Sequence, residues 1–104
     1  MATASIAIGA NTGKGARECV AAALDVLDEF GIHYELTAMA TNVEGDVRTI
    51  CDALVAIHKR CHELGALRVE SLLKIDDRID VGQTLESKVR HVIEARRAPG
   101  QEME

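Results

Sequence analysis

The stretch Arg68-Val-Glu-Ser-Leu-Leu-Lys-Ile-Asp-Asp-Arg-Ile-Asp80 decides the fold, because its residues alternate between two chemically different faces. One face is apolar with a single serine, and it holds Leu67, Val69, Ser71, Leu73 and Ile75. The other face is mostly charged, and it holds Arg68, Glu70, Leu72, Lys74 and Asp76. Alternation with period two predicts a half-buried strand. One side of this strand therefore needs a core, and the other can meet water, a second subunit or a ligand.

The composition fits one domain of 104 residues with a core of small aliphatic side chains, since 47% of the residues are hydrophobic and only 2% aromatic. The chain carries 17 acidic and 12 basic residues, for a net charge of −5, and has no basic stripe. We therefore expect no nucleic-acid partner. No apolar run approaches the ~20 residues that span a bilayer, and the first residues lack the pattern of a signal peptide. These features predict a cytoplasmic protein with no membrane contact.

The order of the predicted elements specifies a known plan. Strands are expected at residues 2–9, in a long extended segment at 32–44 that bends near 40–42, and in the stretch above. Helices are expected at residues 16–30, 47–64 and 85–97, the last two capped by Asp46 and Thr84. This order predicts an α+β, ferredoxin-like βαββαβ fold: an antiparallel sheet with helices on one face, plus a C-terminal helix. Residues 1–97 would form one domain, and residues 98–104 a frayed tail.

The sheet face opposite the helices mixes apolar and polar side chains: Ser5, Glu35, Thr37, Met39, Glu70, Leu72 and Lys74. Methionine and leucine among polar groups favour a covered surface over one fully exposed to water. We therefore expect a homo-oligomer, a dimer or a tetramer, in which a second subunit covers this face.

His58, Cys61 and His62 are potential metal ligands that lie on adjoining helix surface. His58 and Cys61, however, fall on the apolar stripe predicted for the helix at residues 47–64, and no second ligand pair follows at zinc-site spacing. We predict no metal and no cofactor, and interpret His58 as a hydrogen-bonded histidine at the edge of the core or at a subunit contact.

Several ordered blocks resemble the small thiamine-binding protein family. They are Tyr34-Glu-Leu-Thr-Ala-Met-Ala-Thr-Asn-Val-Glu-Gly45, then His58, Gly65-Ala-Leu-Arg-Val69, Lys74-Ile-Asp-Asp-Arg-Ile-Asp80 and the threonine-led segment Thr84-Leu-Glu-Ser-Lys-Val89. The resemblance covers residues 32 to about 93. It implies a ferredoxin-like fold, homo-oligomers built from dimers, no catalysis, and binding of thiamine or its hydroxymethylpyrimidine part near subunit contacts.

A thiamine site must hold a flat pyrimidine, satisfy its amine and ring nitrogens, and tolerate a positive thiazolium. In the segment that resembles the family, aromatic or thioether contact would come from Tyr34 or Met39. Thr41 and Asn42 would hydrogen-bond the pyrimidine edge, and Glu35 or Glu44 would accept from the amine or offset the cation. The predicted ligand site is therefore Tyr34, Glu35, Met39, Thr41, Asn42 and Glu44, with no catalytic residue.

Two alternatives remain open from the sequence. Ala38 and Ala40 stand where the family has a proline and a glycine, and the loop at residues 11–19 differs from the family pattern. The first alternative is therefore a structural or regulatory oligomer that has lost the ligand pocket of the family. A small enzyme would instead use His58 or the alternating charges from Lys74 to Asp80. The competing interpretation of those charges is a set of ion pairs at a strand end.

Overall fold

The computed structural model describes residues 1–11 and 16–97. Its elements, in order, are β1 (Ala2–Ala10), α1 (Arg17–Glu29), β2 (His33–Leu36), β3 (Thr41–Gly45), α2 (Val47–Glu63), β4 (Val69–Asp77) and α3 (Leu85–Arg97). The predicted fraying of residues 98–104 lies outside the described part. No helix in the described ranges is long and apolar enough to cross a membrane.

The four strands form one antiparallel sheet in the order β2-β3-β1-β4, with β1 between β3 and β4. This confirms the ferredoxin-like plan. The long segment at residues 32–44 is a hairpin, as expected, but its turn spans residues 37–40, slightly earlier than the predicted bend. The Thr37 amide donates to the Ala40 carbonyl at 2.9 Å, and the Thr37 side chain bonds the same residue, which closes the turn.

The core lies between the sheet and the pair α1 and α2, where the inward residues of all four strands point. Its largest fully buried side chains are Leu27, Ile50, Ile57, Val26, Val43, Cys19 and Cys61. Spacings of three and four predict an apolar face on α1 made of Ala16, Val20, Ala23, Leu24, Leu27 and Phe30. This prediction was partly wrong, because Phe30 lies past the last helical turn and is 37% exposed, while Cys19, Ala22 and Val26 are buried. Leu67 was also misplaced: it precedes β4 and is 90% exposed.

Helix α2 begins at the predicted cap. The Asp46 carboxylate accepts the Thr49 amide proton at 3.3 Å, and the Asp46 backbone is extended, as an N-cap requires. At the other end the chain turns through Gly65, whose φ of 104° is a conformation that favours glycine.

We predict that Asp46→Ala will lower the free energy of unfolding by about 1 kcal/mol, because it removes an acceptor for the first turn of α2. Asp46→Asn is the matched control, since its side-chain oxygen can still cap, and we expect it to retain most of the stability. Urea unfolding monitored by circular dichroism measures both. Equal losses in the two variants would mean that the carboxylate acts through charge rather than through the cap.

Helix α3 lies on the opposite side of the sheet from α1 and α2. Its cap is confirmed, since the Ser87 amide donates to Thr84 Oγ1 at 3.1 Å. The sequence predicts an apolar stripe on this helix, made of Leu85, Val89, Val92 and Ile93. The stripe is buried only at the start: Leu85 is 9% exposed, whereas Val89, Val92 and Ile93 are 59%, 62% and 39% exposed. The helix therefore meets the sheet through its first turns and leaves the rest of its apolar surface open.

Candidate functional site

The face of the sheet that carries α3, here called the outer face, is organised in rows that cross all four strands. One row runs Glu35, Asn42, Ser5, Lys74, and the next runs His33, Glu44, Thr3, Asp76. Neighbouring strands lie about 4.8 Å apart, so Glu35 and Lys74 stand roughly 14 Å from each other at opposite ends of the first row. The row thus presents an anion, two neutral hydrogen-bonding groups and a cation in a line.

The first turns of α3 convert this surface into a cavity of about 300 Å³. The floor is formed by outer-face residues of all four strands, and the wall by one face of α3: Thr3, Ser5, Glu35, Asn42, Lys74 and Asp76, then Leu85, Lys88 and Val89. A volume of this size lies at the lower end of the range for small-molecule sites. We call this cavity the outer-face cleft.

An ion pair fastens α3 over the cleft. Lys88 Nζ lies 2.6 Å from Asp76 Oδ2, and the hydrogen bond from Lys88 lowers the pKa of Asp76 below its usual value. Asp76 therefore stays ionised at neutral pH. In the same row, the imidazole of His33 lies 3.5 Å from the Glu44 carboxylate, whose side chain is only 12% exposed.

Glu35 and Lys74 differ from these paired charges. Within residues 1–11 and 16–97, neither lies within ion-pair distance of an opposite charge. Both line the cleft. They are the charged groups of the cleft that a polar ligand can engage without breaking an existing ion pair.

The structure divides the six predicted site residues between three places. Glu35 and Asn42 are paired neighbours in the cleft, and Glu44 lies one row away on the same face. Tyr34 and Thr41 point to the helix side; Thr41 is 5% exposed, and burial together with the nearby Asp28 carboxylate raises the pKa of Tyr34. Met39 sits in the hairpin turn, 86% exposed.

His58 takes part in a hydrogen bond between a helix and a strand. Its Nε2 lies 2.7 Å from Ser71 Oγ, where α2 packs on β4, which agrees with a hydrogen-bonded histidine at the core edge. Its neighbour His62 bonds the Ala66 carbonyl through Nδ1 at 2.7 Å. Within the described ranges, no group of three or more His, Cys, Asp or Glu residues is arranged to hold a metal.

The alternating charges at the end of β4 are largely ion-paired. Asp76 pairs with Lys88, and Arg78 Nε donates to Asp80 Oδ1 at 2.9 Å. These contacts agree with the interpretation of these charges as ion pairs at a strand end. Lys74 and Asp76 both face the cleft, and Asp76 is ion-paired there with Lys88.

Most contributors to the cleft were not assigned to the site from the sequence, and they include the polar residues Ser5, Lys74, Asp76 and Lys88. A signal for the first three was present, because they occupy the polar positions of alternating strands. Only the strand order and register reveal that they share rows with Glu35, Asn42 and Glu44. Lys88 could be assigned to the cleft only once the docking position of α3 was known, and no local sequence pattern specifies that position.

Comparisons of the sequence with known proteins agree on one family. The sequence profile of a family described as thiamine-binding protein matches residues 2–93. A UPF0045 protein of Synechocystis is 38% identical over 80 residues, covering 77% of this chain and 66% of that protein. The match thus spans slightly less than two thirds of that relative.

Solved structures of related proteins share the fold. A hypothetical protein of Methanocaldococcus jannaschii superimposes with a TM-score of 0.81 at 31% identity, covering 89% of this chain and 96% of that one. A Thermotoga maritima protein provisionally assigned to thiamine biosynthesis or salvage gives a TM-score of 0.74 at 27% identity, covering 88% and 97%.

Proposed function

The chain belongs to the thiamine-binding protein family, and from this premise we propose that it binds thiamine or its hydroxymethylpyrimidine part in the outer-face cleft, without transforming it. The observation that carries the proposal is the row Glu35, Asn42, Ser5, Lys74 beneath α3. It offers a carboxylate, an amide and a hydroxyl in sequence, which matches the polar edge of an aminopyrimidine. The role would be sequestration or sensing.

The row favours one orientation of the ligand. The pyrimidine amine would donate to Glu35, and the Asn42 amide would complete the ring edge. The thiazolium would then extend over Ser5 towards β4, where the negative charge of Asp76 helps to offset its positive charge. Its hydroxyethyl group, or a phosphate attached to it, would reach Lys74 at the far end. Leu85 and Val89 supply the apolar wall against the flat rings.

Thermal unfolding with thiamine, its phosphates and hydroxymethylpyrimidine tests the proposal. A compound present at 100 times its dissociation constant should stabilise the fold by about 2.7 kcal/mol per site, which is several degrees for a domain of this size. The oligomeric mass must be known and the protein concentration held constant. A shift that rises with dose for one compound would support the proposal, and no shift with any of them would refute it.

Variants then place the site. Glu35→Gln and Asn42→Ala should weaken binding of every compound that contains the pyrimidine, whereas Lys74→Met should weaken the phosphates more than thiamine itself. Glu63→Gln, an exposed glutamate at the end of α2, is the matched control and should bind as the unmodified protein does. Equal affinity in all four variants, measured by titration calorimetry, would place the ligand elsewhere.

We also propose that the protein self-associates, as the mixed chemistry of the outer face predicts. Leu72 is 72% exposed there, and the open stripe of α3 adds further apolar surface. A second subunit over this face would bury the ligand near a subunit contact. Should no compound bind a folded oligomer, the structural or regulatory alternative would take the place of the binding role.

A further inference from the structure

Two cysteine side chains meet where α1 packs on α2. Cys19 lies in α1 and Cys61 in α2, and both side chains are completely buried in the core. The Cys61 Sγ lies 3.9 Å from the Cys19 carbonyl oxygen, and its thiol is within hydrogen-bonding reach of the Cys19 thiol. The fold therefore brings together two sulfur atoms from residues that are 42 positions apart in the sequence.

The third cysteine, Cys51, is outside this contact. It shares α2 with Cys61, and the two positions are separated by about 15 Å along the helix axis. A disulfide requires Cα atoms within about 7 Å of each other, so Cys51 and Cys61 of one chain cannot be joined. Cys51 is also partly exposed and lies outside the buried cluster that contains the other two cysteines. It therefore serves as an internal reference for the buried pair.

Burial protects both thiols while the two helices are closed. Loss of contact with water, together with the neighbouring Cys19 thiol, raises the pKa of Cys61 to about 12. The thiolate is the form of cysteine that attacks an oxidant, and the intact core exposes neither side chain to solvent. Reaction at this pair therefore requires a local opening of one of the helices.

The positions of the two cysteines in their helices allow such an opening. Cys19 lies in the first turn of α1, and Cys61 lies in the last turn of α2. Ala16 occupies the N-cap position of α1, and alanine has no side-chain acceptor for the free amides of that turn. Helix ends open at a lower free-energy cost than helix centres. The Cys19 thiol can therefore reach solvent without unfolding of the whole domain.

We propose that Cys19 and Cys61 are a reversible redox pair, which a small-molecule disulfide oxidises to a disulfide between the start of α1 and the end of α2. The bond would restrict the unfolded chain over a long loop and so stabilise the folded domain. In a reducing compartment the pair would remain as two thiols. The two helices lie on the other side of the sheet from the outer-face cleft, so the proposal does not depend on ligand binding.

Two exchange steps form the bond and balance its electrons. In the first step, the Cys19 thiolate attacks one sulfur of the small-molecule disulfide, whose sulfur–sulfur bond breaks, and a mixed disulfide and one free thiolate result. In the second step, the Cys61 thiolate attacks the Cys19 sulfur, the protein disulfide forms, and the second thiolate leaves. The protons of the two cysteines pass through water to the released thiolates. Two cysteine thiols are thus oxidised, and one small-molecule disulfide is reduced to two thiols.

Incubation of the full chain with oxidised glutathione tests the proposal. Free thiols titrated in denaturant should fall from three to one, and peptide mapping without reduction should show Cys19 joined to Cys61. The midpoint of thermal unfolding, measured at a fixed protein concentration, should rise by about 10 °C. A dithiol reductant should then restore both the thiol count and the original midpoint.

Three variants separate the pair from the remaining cysteine. Cys51→Ser is the matched control, and oxidation should raise its midpoint as much as that of the unmodified protein. Cys19→Ala and Cys61→Ala should show no rise, because neither can form the bond. Each variant is compared with its own reduced form, so a loss of stability from truncation in the core does not affect the result. If neither alanine variant is folded by circular dichroism, the peptide map of the unmodified protein still decides.

Three results would overturn the proposal. The unmodified protein could keep three free thiols after prolonged incubation, or carry only mixed disulfides with glutathione. Its oxidised form could be linked through Cys51 or between chains, which would assign the oxidation to a different contact. Finally, the form with Cys19 joined to Cys61 could unfold at a lower temperature than the reduced form, which would show that the packing of α1 on α2 does not accommodate the bond.

Discussion

Replacing Leu85 with alanine should lower the affinity for a compound bound in the outer-face cleft by about tenfold or more, because it loosens the wall of the cleft. Leu85 is the one residue of α3 that is buried in the described structure, at 9% exposure. Truncating a buried leucine costs roughly 2–5 kcal/mol. Here that cost is paid mainly by the docking of α3, so the helix should separate from the sheet before the domain unfolds.

Two measurements check this prediction together. Titration calorimetry with the compound that stabilises the unmodified protein gives the affinity, and hydrogen exchange of residues 85–97 gives the docking of α3. Val92→Ala, a change on the same helix at a side chain 62% exposed, is the matched control and should alter neither. Normal affinity with a released α3 would show that the helix is not part of the site. A released α3 with no compound binding to any variant would instead count against the ligand proposal itself.

Replacing Ile57 with alanine should lower the free energy of unfolding by about 3 kcal/mol. Ile57 is fully buried in the middle of α2, within the cluster that includes Leu27, Val43 and Ile50. Removing three carbons there leaves a void that a closely packed core of aliphatic side chains cannot fill without moving its backbone. A large part of the stability of a domain this size would be lost.

Val55→Ala provides the comparison for Ile57→Ala. Val55 lies two residues away on the same helix but is 71% exposed, so we expect its replacement to change stability by less than about 0.5 kcal/mol. Urea unfolding at equal protein concentration measures both, since self-association would otherwise shift the midpoints. Similar losses in the two variants would mean that Val55 is covered by another subunit in solution.

The strands and their faces were predictable because side chains alternate between the two faces of a strand whatever the register of its pairing. The face of the sheet on which each side chain of β1 and β4 lies follows directly from the sequence. To predict the hairpin at residues 37–40 required only a break in a long extended segment. The buried face of α1 was harder. That helix is rich in alanine, and its buried positions Cys19, Ala22 and Ala23 are too small to stand out from the exposed ones.

The candidate site was only partly predictable because neighbours in a strand point to opposite faces. Tyr34 and Glu35 are adjacent in sequence, yet the structure sends one to the core and the other to the cleft. Ser5 and Lys74 are remote in sequence, yet they are paired in the sheet. A cluster along the chain is therefore a poor guide to a site on a sheet, whereas strand order combined with register locates it.

The pairing of β1 with β4 also sets the time at which the site can exist during synthesis. β1 is made first, but the strand that completes its other side is residues 69–77. Until those residues leave the ribosome, the floor of the cleft lacks Lys74 and Asp76, and α3 follows later still. Partners so distant in sequence also slow folding, since a long loop must close before they meet. On the proposed function, the cleft could therefore hold a small molecule only after β4 and α3 have been made, so that a ligand would stabilise finished chains without trapping partly made ones.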